Sequence, residues 1–462
     1  MEAKPVTTAI PEIPVSITPP DWNNRRMFNL LYPLIIEQLL IVAMGIVDMV
    51  MVSFVGEHAV SGVSLVDSIN FLIITAFNAM ATGGAVVASQ YIGRRDEESA
   101  CCSARQLVYI SVFISAILMI FTMCFCRQLL RITYGNIAGD VMESAQKYFL
   151  ITAISYPFLA LYTSSSALFR SMGNSKVTMR IAVLVNIINV AGNAFFIYGL
   201  NLGAAGAALS TLIGRITAAL LLFFLLHKDR SKIINLYGIL KIKIDLLMIR
   251  RILNIGIPSG LETAMFQVGK ILVTRIFTSF GTAAIAANAV TSTINSLAFM
   301  PGSGYGMGLL IIAGQYMGAG DFKSVKKYTK RILILANLTY LVINLCIFIF
   351  MNPIINIFNL SQEAHNLCVT FLHVHLVSST LFWCLSFVLP NSLKAAGDVR
   401  YVMIVAASTM WLVRVCLAYF LAFVIGLGPV AVSFAMGADF LFRGIFFSAR
   451  WLSGKWKEKR VI

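Results

Sequence analysis

The sequence predicts an all-α integral membrane protein, with twelve transmembrane helices in two parallel-repeat six-helix bundles around a central cavity. Three observations predict this fold: an apolar composition, twelve apolar segments of membrane-spanning length, and an internal repeat. The 462 residues are 58% hydrophobic and 12% charged, with a mean hydropathy of +0.83. Such a chain has too little polar surface for a water-soluble fold, whereas a bilayer accepts apolar helices whose backbone hydrogen bonds are internal.

Each predicted helix is a mostly apolar run that can cross the hydrocarbon core, which takes about 20 residues. The twelve runs are 30–54, 60–92, 107–126, 138–168, 177–200, 204–227, 252–279, 284–316, 329–351, 364–393, 401–424 and 430–450. They predict an N-lobe at 30–227 and a C-lobe at 252–450, joined by a cytoplasmic linker at 228–251. The ends are predicted to be a cytoplasmic tail at 1–29 and a basic cytoplasmic tail at 451–462.

The net charge of +16 is distributed unevenly among the loops. Lys and Arg crowd the tails and the even-numbered loops, while the opposite loops hold three: Arg127, Arg131 and Lys147. This positive-inside pattern predicts that both termini are cytoplasmic and that the protein lies in the cell membrane. The basic balance therefore indicates contact with anionic lipid, and we expect no nucleic acid partner.

The second half of the chain repeats the first. Pro33 corresponds to Pro258, an offset of 225 residues. The same offset relates Glu37 to Glu262, Gly56 to Gly281 and Gln90 to Gln315. Both halves have an even number of helices, so they enter the membrane with the same orientation. Two similar bundles can rock about a shared cavity, which favours transport by alternating access over a purely structural bundle.

Four polar side chains are predicted to lie at one depth in the N-lobe. Asp48 and Asn193 each lie eight residues before the turn that ends their helix, Asn189 is one turn deeper, and Thr211 has a matching depth in the sixth helix. At 1.5 Å per residue, all four lie about 12–18 Å below the extracellular boundary. Their oxygens suit Na⁺, or a hydrogen-bonded Asp that takes up a proton. The alternative is a structural salt bridge between Asp48 and Arg215.

The C-lobe lacks this polar set, because the repeat places Val273, Ala418 and Met436 at the positions of the Asp, the second Asn and the Thr. A purely architectural ion pair would be expected in both bundles. The asymmetry therefore favours a single ion site. Apart from Na⁺ at Asp48 and its two Asn neighbours, we predict no metal site, since the eight cysteines show no ligand spacing.

Two acids are candidates for binding a cationic substrate. Glu37 and Glu262 each lie one helical turn after a helix proline, Pro33 or Pro258. The alternative is that both acids are solvated or capped near the cytoplasmic surface. Two neighbouring amides are further candidates for the substrate site: Gln38 and Gln267.

Three prolines are candidate hinges: Pro33, Pro258 and Pro301. The last begins the segment Pro301-Gly-Ser-Gly-Tyr-Gly-Met-Gly308, which predicts an interruption of the eighth helix and a gate or hinge there. The alternative for this segment is close helix packing through small residues.

The chain resembles the multidrug and toxic compound extrusion (MATE) transporters over about residues 25–450. The motifs that carry the likeness are Pro33, Gly45-Ile-Val-Asp48, Gln90-Tyr-Ile-Gly93, Asn189-Val-Ala-Gly-Asn193, Gly203-Ala-Ala-Gly-Ala-Ala-Leu-Ser-Thr211, Gly256-Ile-Pro258 and Ala284-Ile-Ala-Ala-Asn288. The resemblance implies a secondary active antiporter that exports small cationic or aromatic compounds in exchange for H⁺ or Na⁺. It also implies that Asp48, Asn189, Asn193 and Thr211 bind the coupling ion.

Departures from the family pattern restrict this expectation. Some members carry a Glu in the seventh helix and an Asp in the tenth, where this chain has Phe266 and Trp383. The resemblance therefore implies that coupling rests on the N-lobe.

The alternative function is a lipid-linked oligosaccharide flippase of the same superfamily, for which a more cationic cavity is expected. An enzyme would show a clustered catalytic motif or an extramembrane domain, and the sequence shows neither. We therefore predict no enzymatic activity and no cofactor. The expected partners are small-molecule substrates and the lipid bilayer, and we expect a monomer.

Overall fold

The computed structural model describes residues 22–135, 138–228, 233–239, 241–459 and 461–462. Within these ranges the chain is helical throughout, with short connections and no strand. Most of the predicted N-terminal tail and part of the predicted linker lie outside the described residues.

In the described ranges, twelve helical segments, α1 to α12, form the bundle, and the predicted fold class is confirmed. In the N-lobe they are α1 (Asn24–Ser53), α2 (Glu57–Arg94), α3 (Glu97–Tyr134), α4 in two pieces (Gly139–Ile154 and Tyr156–Ser171), α5 (Ser175–Gly199) and α6 (Gly203–Lys228). In the C-lobe they are α7 (Leu246–Thr278), α8 (Thr282–Gly318), α9 (Phe322–Ile349), α10 (Gln362–Ala395), α11 (Val399–Val424) and α12 (Val430–Leu452).

Ten of these segments are by themselves long and apolar enough to cross a membrane. The other two segments, α4 and α7, do not meet this criterion of length and apolar character, each for a local reason. The helix α4 is divided at Ser155, which forms the junction between its two pieces. The helix α7 carries basic and acidic residues along its length: Arg250, Arg251, Glu262, Lys270 and Arg275.

The ends of the two lobes are more ordered than the sequence predicts. The helix α1 begins at Asn24 rather than at residue 30, because Asn23 Oδ1 accepts a hydrogen bond from the backbone N–H of Arg26 at 2.9 Å. Beyond α12, the residues of the predicted basic tail fold back: Trp456 is fully buried, with its ring stacked 4.4 Å from that of Trp451.

The described part of the linker packs against α3 instead of extending into solvent. Leu236 and Ile239 are buried in the same apolar core as α3. The hydroxyl of Tyr109 donates to the Ile239 carbonyl at 2.5 Å, and Gln106 Nε2 donates to the Lys243 carbonyl at 2.6 Å. The linker is thereby fixed to the N-lobe.

The repeat found in the sequence is confirmed in three dimensions by equivalent helix caps. Asp96 and Asp321 begin α3 and α9, and each accepts a hydrogen bond at 3.0 Å from the backbone N–H three residues later. Gly56 and Gly281 precede α2 and α8 with positive φ angles of 130° and 87°, which favour glycine.

The two lobes pack closely at the end of the bundle where α2 and α8 finish, which we call the closed end. A methyl group added at Gly304 of α8 would lie 2.9 Å from Ile35 Cγ1 of α1. One added at Gly256 of α7 would lie 3.2 Å from the Ala79 carbonyl oxygen of α2. Small residues therefore let the four central helices approach each other across the lobe boundary.

Towards the opposite end, the open end, α1 is exposed on several sides. Ile41 and Ile46 are each 51% exposed, and Val50 is 52% exposed. At 100° per residue, Ile41 and Ile46 point in different directions from the helix axis. The helix α1 is therefore uncovered on more than one side here, as expected for a helix between lipid and a cleft between the lobes. The bundle is therefore less closely packed around α1 at this end than at the closed end.

The predicted interruption at Pro301 is wrong, because α8 is a continuous helix from Thr282 to Gly318. Pro301 is buried inside the helix, and the glycines that follow it lie against neighbouring helices. Gly302 faces Trp383, and Gly306 faces Asn391. The small residues of this segment thus serve close packing.

Candidate functional site

The helix α5 places Asn189 and Asn193 against α6 through a close approach of the two backbones. A methyl group at Gly192 would lie 2.6 Å from Ser210 Oγ, so only glycine fits there. The Ser210 hydroxyl donates to the Asn189 carbonyl at 2.7 Å. Directly after Asn193, α5 widens into turns with bonds between residues five apart, a geometry frequent at functional sites.

The structure brings the four predicted cation-site residues together in one hydrogen-bonded chain. Asn193 Nδ2 donates to Asp48 Oδ1 at 2.6 Å and lies 3.3 Å from Asn189 Oδ1. Asn189 Nδ2 donates in turn to Thr211 Oγ1 at 3.3 Å. Asn193 is fully buried and Asn189 is 1% exposed. The equal depth inferred from residue spacing therefore corresponds to side-chain contact.

One acceptor in this cluster has no partner. Asn193 Oδ1 is buried and accepts no hydrogen bond within the described chain. A buried carbonyl oxygen without a donor costs about 1–3 kcal/mol, which a cation or a protonated carboxyl group beside it would offset. The amide of Asn193 thus contacts Asp48 through its nitrogen and keeps an oxygen that can accept one further bond.

Arg215 does not form the salt bridge with Asp48 that was the structural alternative. Arg215 Nη1 donates to Ser155 Oγ at 2.6 Å, at the junction within α4. It acts on Asp48 as a neighbouring charge. The carboxylate of Asp48 therefore remains available to a mobile ion.

A second acid, Asp67 of α2, belongs to the same polar region and was missed by the sequence analysis. The Tyr148 hydroxyl donates to Asp67 Oδ1 at 3.0 Å. The Asp67 carboxylate is attracted by the Arg215 guanidinium and repelled by the Asp48 carboxylate. Its signal was present, since Asp67 is an ionisable residue inside the predicted run 60–92. This polar region of the N-lobe thus holds two carboxylates, Asp48 and Asp67, and one guanidinium, Arg215.

The C-lobe positions equivalent to the cation cluster are filled by apolar side chains, as the repeat predicts. Ala418 is fully buried, and Val273 and Met436 pack against the same apolar core. Phe266 stands 5.2 Å from the guanidinium carbons of both Arg414 and Arg443. Trp383 is buried in a stack with Phe299, Tyr340 and Phe387.

Glu37 and Glu262 are each paired with a basic residue of their own lobe. Glu37 is 3% exposed, lies 3.8 Å from Arg170 and accepts a hydrogen bond from Thr178 at 2.9 Å. Glu262 lies 2.7 Å from Lys394. A cationic substrate that bound either acid would compete with this intramolecular partner.

The remaining predicted residues occupy the central helices. Gln38 is half-buried on α1, and its amide lies 3.5 Å from Met307 Sδ of α8, so it touches the other lobe. Gln267 is half-buried on α7. Pro33 and Pro258 lie buried inside α1 and α7, both of which continue through the proline as helices.

The C-lobe contains a buried charged cluster of its own. Arg443 Nε donates to Asp439 Oδ1 at 2.8 Å, a contact between residues four apart on α12. Arg414 Nε lies 3.1 Å from the other carboxylate oxygen of Asp439. In the part of the chain that the structure describes, no group of three His, Cys, Asp or Glu residues has the arrangement of a metal site.

Comparison with known protein families gives one match that spans both lobes. The family model MatE matches residues 33–195 and 258–420, one copy in each repeat. The chain belongs to the MatE family. The two matched segments begin at Pro33 and Pro258, which agrees with the offset of the internal repeat. MatE proteins are transporters, so the resemblance stated from the motifs is confirmed.

Relatives of known sequence align over almost the whole chain. The "uncharacterized transporter YisQ" of Bacillus subtilis (strain 168) is 29% identical over 451 residues, covering 95% of this chain and 96% of the relative. The "probable multidrug resistance protein NorM" of Thermotoga maritima is 24% identical over 444 residues, covering 95% and 94%.

A solved structure described as the outward-facing conformation of a multidrug resistance MATE family transporter superposes with a TM-score of 0.88. It is 18% identical and covers 94% of this chain and 96% of its own. At this identity the likeness shows the fold alone. The MatE fold of this chain is thus shared over both lobes.

Proposed function

We propose that this protein is a secondary active efflux antiporter that exports small, cationic or aromatic compounds in exchange for H⁺ or Na⁺. The observation that carries the proposal is the chain from Asp48 through Asn193 and Asn189 to Thr211, with the Asn193 carbonyl oxygen unpartnered beside the carboxylate. Multidrug resistance proteins among its relatives support the same class of substrate.

The cation enters the cluster from the open end and binds between Asp48 and Asn193. Its charge compensates the carboxylate and satisfies the amide oxygen, so the contacts of α1 with α5 change when the ion arrives. A membrane potential of about 100 mV supplies about 2.3 kcal/mol per charge, or a bias of about fifty-fold. That energy drives the lobes between two orientations around the central cavity, with both termini on the cytoplasmic side of the plasma membrane.

The apolar C-lobe positions support coupling through the N-lobe alone. The C-lobe position equivalent to Asp48 is Val273, which has no carboxylate. Phe266 and Trp383 occupy the positions where some family members have acids. Glu37, Glu262, Gln38 and Gln267 are the proposed substrate contacts, with Pro33 and Pro258 as the proposed bending points of the central helices.

The test is efflux of fluorescent cations from reconstituted vesicles under separately imposed gradients of Na⁺ and H⁺. Wild-type protein should concentrate the dye against its gradient with one of the two ions. Asp48→Asn should lose this ion-driven transport while it retains expression and thermal stability. Asn186→Ala is the matched control, because Asn186 of α5 bonds only to its own helix, at Ala182. Normal ion-driven efflux by Asp48→Asn would contradict the proposal.

A further inference from the structure

The charged residues inside the two lobes differ in sign. In the N-lobe interior, Asp48 and Asp67 face a single Arg215. In the C-lobe, Arg414 and Arg443 face a single acid, Asp439, which is fully buried. With Lys270, on which Arg414 acts as a charge, this cluster has three positive charges against one negative charge, whereas the nearby pair of Glu262 and Lys394 is balanced. Charges at membrane depth require a partner or a water-filled cavity, so this excess needs an anion.

Lys270 lies on the side of α7 that faces away from lipid. The exposed apolar side chains of α7 include Ile257, Leu261 and Val268, which form one stripe along the helix. Lys270 follows Leu261 by nine residues, which is a rotation of about 180°. Its neighbours on that opposite side are polar: Thr263, Gln267 and Thr274. The ammonium group therefore projects towards the space between the lobes.

Several donors in this region have no acceptor. Lys270 Nζ makes no hydrogen bond or ion pair with the described residues, although its side chain is exposed. Arg414 is 5% exposed, and its Nη2 group is buried without an acceptor. Trp411, one turn before Arg414 on α11, likewise has a buried Nε1–H without an acceptor. A satisfied structural ion cluster would leave none of these groups unpaired.

Aromatic rings flank the unpaired donors. Phe266, one turn before Lys270, lies 5.2 Å from the Arg414 guanidinium, and Phe387 lies 6.1 Å from Phe266. A flat aromatic compound can contact these rings while a carboxylate on it pairs with Lys270 and Arg414. The acids of the N-lobe disfavour a ligand of high negative charge such as a lipid pyrophosphate, whereas they tolerate a compound that also carries a cationic group.

We propose that Lys270 and Arg414 bind the carboxylate of an aromatic substrate, so that this transporter prefers zwitterionic compounds to simple cations. The inference rests on the proposed efflux function and specifies its substrate class. Lys270 contributes a charge with three free donors, and Arg414 contributes a second donor group fixed by Asp439.

The test uses two dyes that share one ring system: rhodamine B, which carries a carboxylate, and its methyl ester, a simple cation in which one methyl group removes the negative charge. Binding to purified protein is measured by fluorescence polarisation. Lys270→Gln should weaken the binding of rhodamine B by at least about tenfold and that of the ester by less than about twofold. Lys270→Arg keeps the positive charge and should retain most of the preference for rhodamine B over the ester. Lys330→Gln is the control, because Lys330 is an exposed lysine of α9.

Two outcomes would overturn the inference. One is an equal loss of binding affinity for both dyes in Lys270→Gln. The other is that farnesyl pyrophosphate displaces bound rhodamine B at a lower concentration than unlabelled aromatic zwitterions do. The ion-gradient efflux assay separates this failure from failure of the proposed function. If wild-type protein exports both dyes with an ion gradient while Lys270→Gln shows no charge preference, only the substrate class is wrong. If wild-type protein prefers the carboxylate dye but no ion gradient drives it, the antiport is wrong.

Discussion

Gln90 and Gln315, which are equivalent in the repeat, each cross to the opposite lobe at the closed end. Gln90 Nε2 donates to the carbonyl of Ala395 at 2.7 Å, and Gln315 Nε2 donates to the carbonyl of Ser171 at 2.7 Å. Each acceptor is the last residue of the fourth helix of its lobe. Both glutamines are buried, at 3% and 1% exposure. We call this reciprocal pair of bonds the glutamine latch.

Breaking the glutamine latch should open the closed end. Each hydrogen bond contributes about 1 kcal/mol, so Gln90→Ala combined with Gln315→Ala should raise the population opened at this end by about tenfold or more. The measurement is the labelling rate of Ser89→Cys, a position buried at the closed end, by a water-soluble maleimide in a background without native cysteines.

The matched control for the glutamine latch is Gln362→Ala. Gln362 lies exposed at the start of α10 and bonds to Asn366 of its own helix at 3.1 Å. Its loss should leave the labelling rate unchanged. Unaltered labelling of Ser89→Cys in the double variant would show that the latch does not hold this end closed.

Asn193→Ala should weaken ion binding without preventing folding. The amide of Asn193 is the group that joins Asp48 to Asn189, and its free carbonyl oxygen lies at the proposed ion position. We expect the ion concentration for half-maximal efflux to rise by at least about tenfold, because one ligand and one orienting bond are lost. The readout is efflux at graded H⁺ or Na⁺ concentration. A change equal to that of the control Asn186→Ala would argue against a role for Asn193.

Much of the fold was predictable because lipid imposes it. Apolar length determined the spans, and the offset from Pro33 to Pro258 determined two lobes whose caps match in the structure. Boundaries were less accurate, since the start of α1 depends on the side chain of Asn23 rather than on hydropathy. The predicted interruption at Pro301 is wrong because a proline inside a packed helix need not break it.

The site was predictable only where spacing within a helix fixes depth. Asp48, Asn193 and Thr211 could be compared by counting residues from the turns that end their helices. The rotation of α2 about its axis decides whether Asp67 meets Tyr148, and the packing of α7 on α11 decides that Arg414 meets Phe266. Both depend on contacts between helices, which no single segment of sequence reveals.

Asp67→Asn should impair coupling through its effect on Arg215. The guanidinium is attracted by both Asp67 and Asp48 in the wild-type protein. Without the charge of Asp67, the positive charge acts mainly on Asp48 and competes with the incoming ion. Efflux should then require a several-fold higher ion concentration, measured in the same vesicle assay. Unchanged ion dependence in Asp67→Asn would indicate that the two acids act independently.

Lys394→Met should destabilise the C-lobe, and adding Glu262→Gln to this variant should recover most of the lost stability. The pair is 2.7 Å apart with side chains 14% and 17% exposed, so removing one partner leaves a mostly buried, unsatisfied charge at a cost of about 1–3 kcal/mol. The double variant removes both charges and therefore most of the penalty. Thermal unfolding in detergent measures the difference.

The surface pair of Lys147 and Glu143 is the control for this cycle, because its atoms are as close, at 2.6 Å, while its side chains are 62% and 66% exposed. Lys147→Met should leave the unfolding temperature unchanged, since solvent screens both charges. If Lys394→Met behaved like Lys147→Met, Glu262 would be solvated by the cleft and free to bind a substrate cation. If the double variant were less stable than either single variant, the two residues would stabilise the C-lobe through packing rather than through their charges.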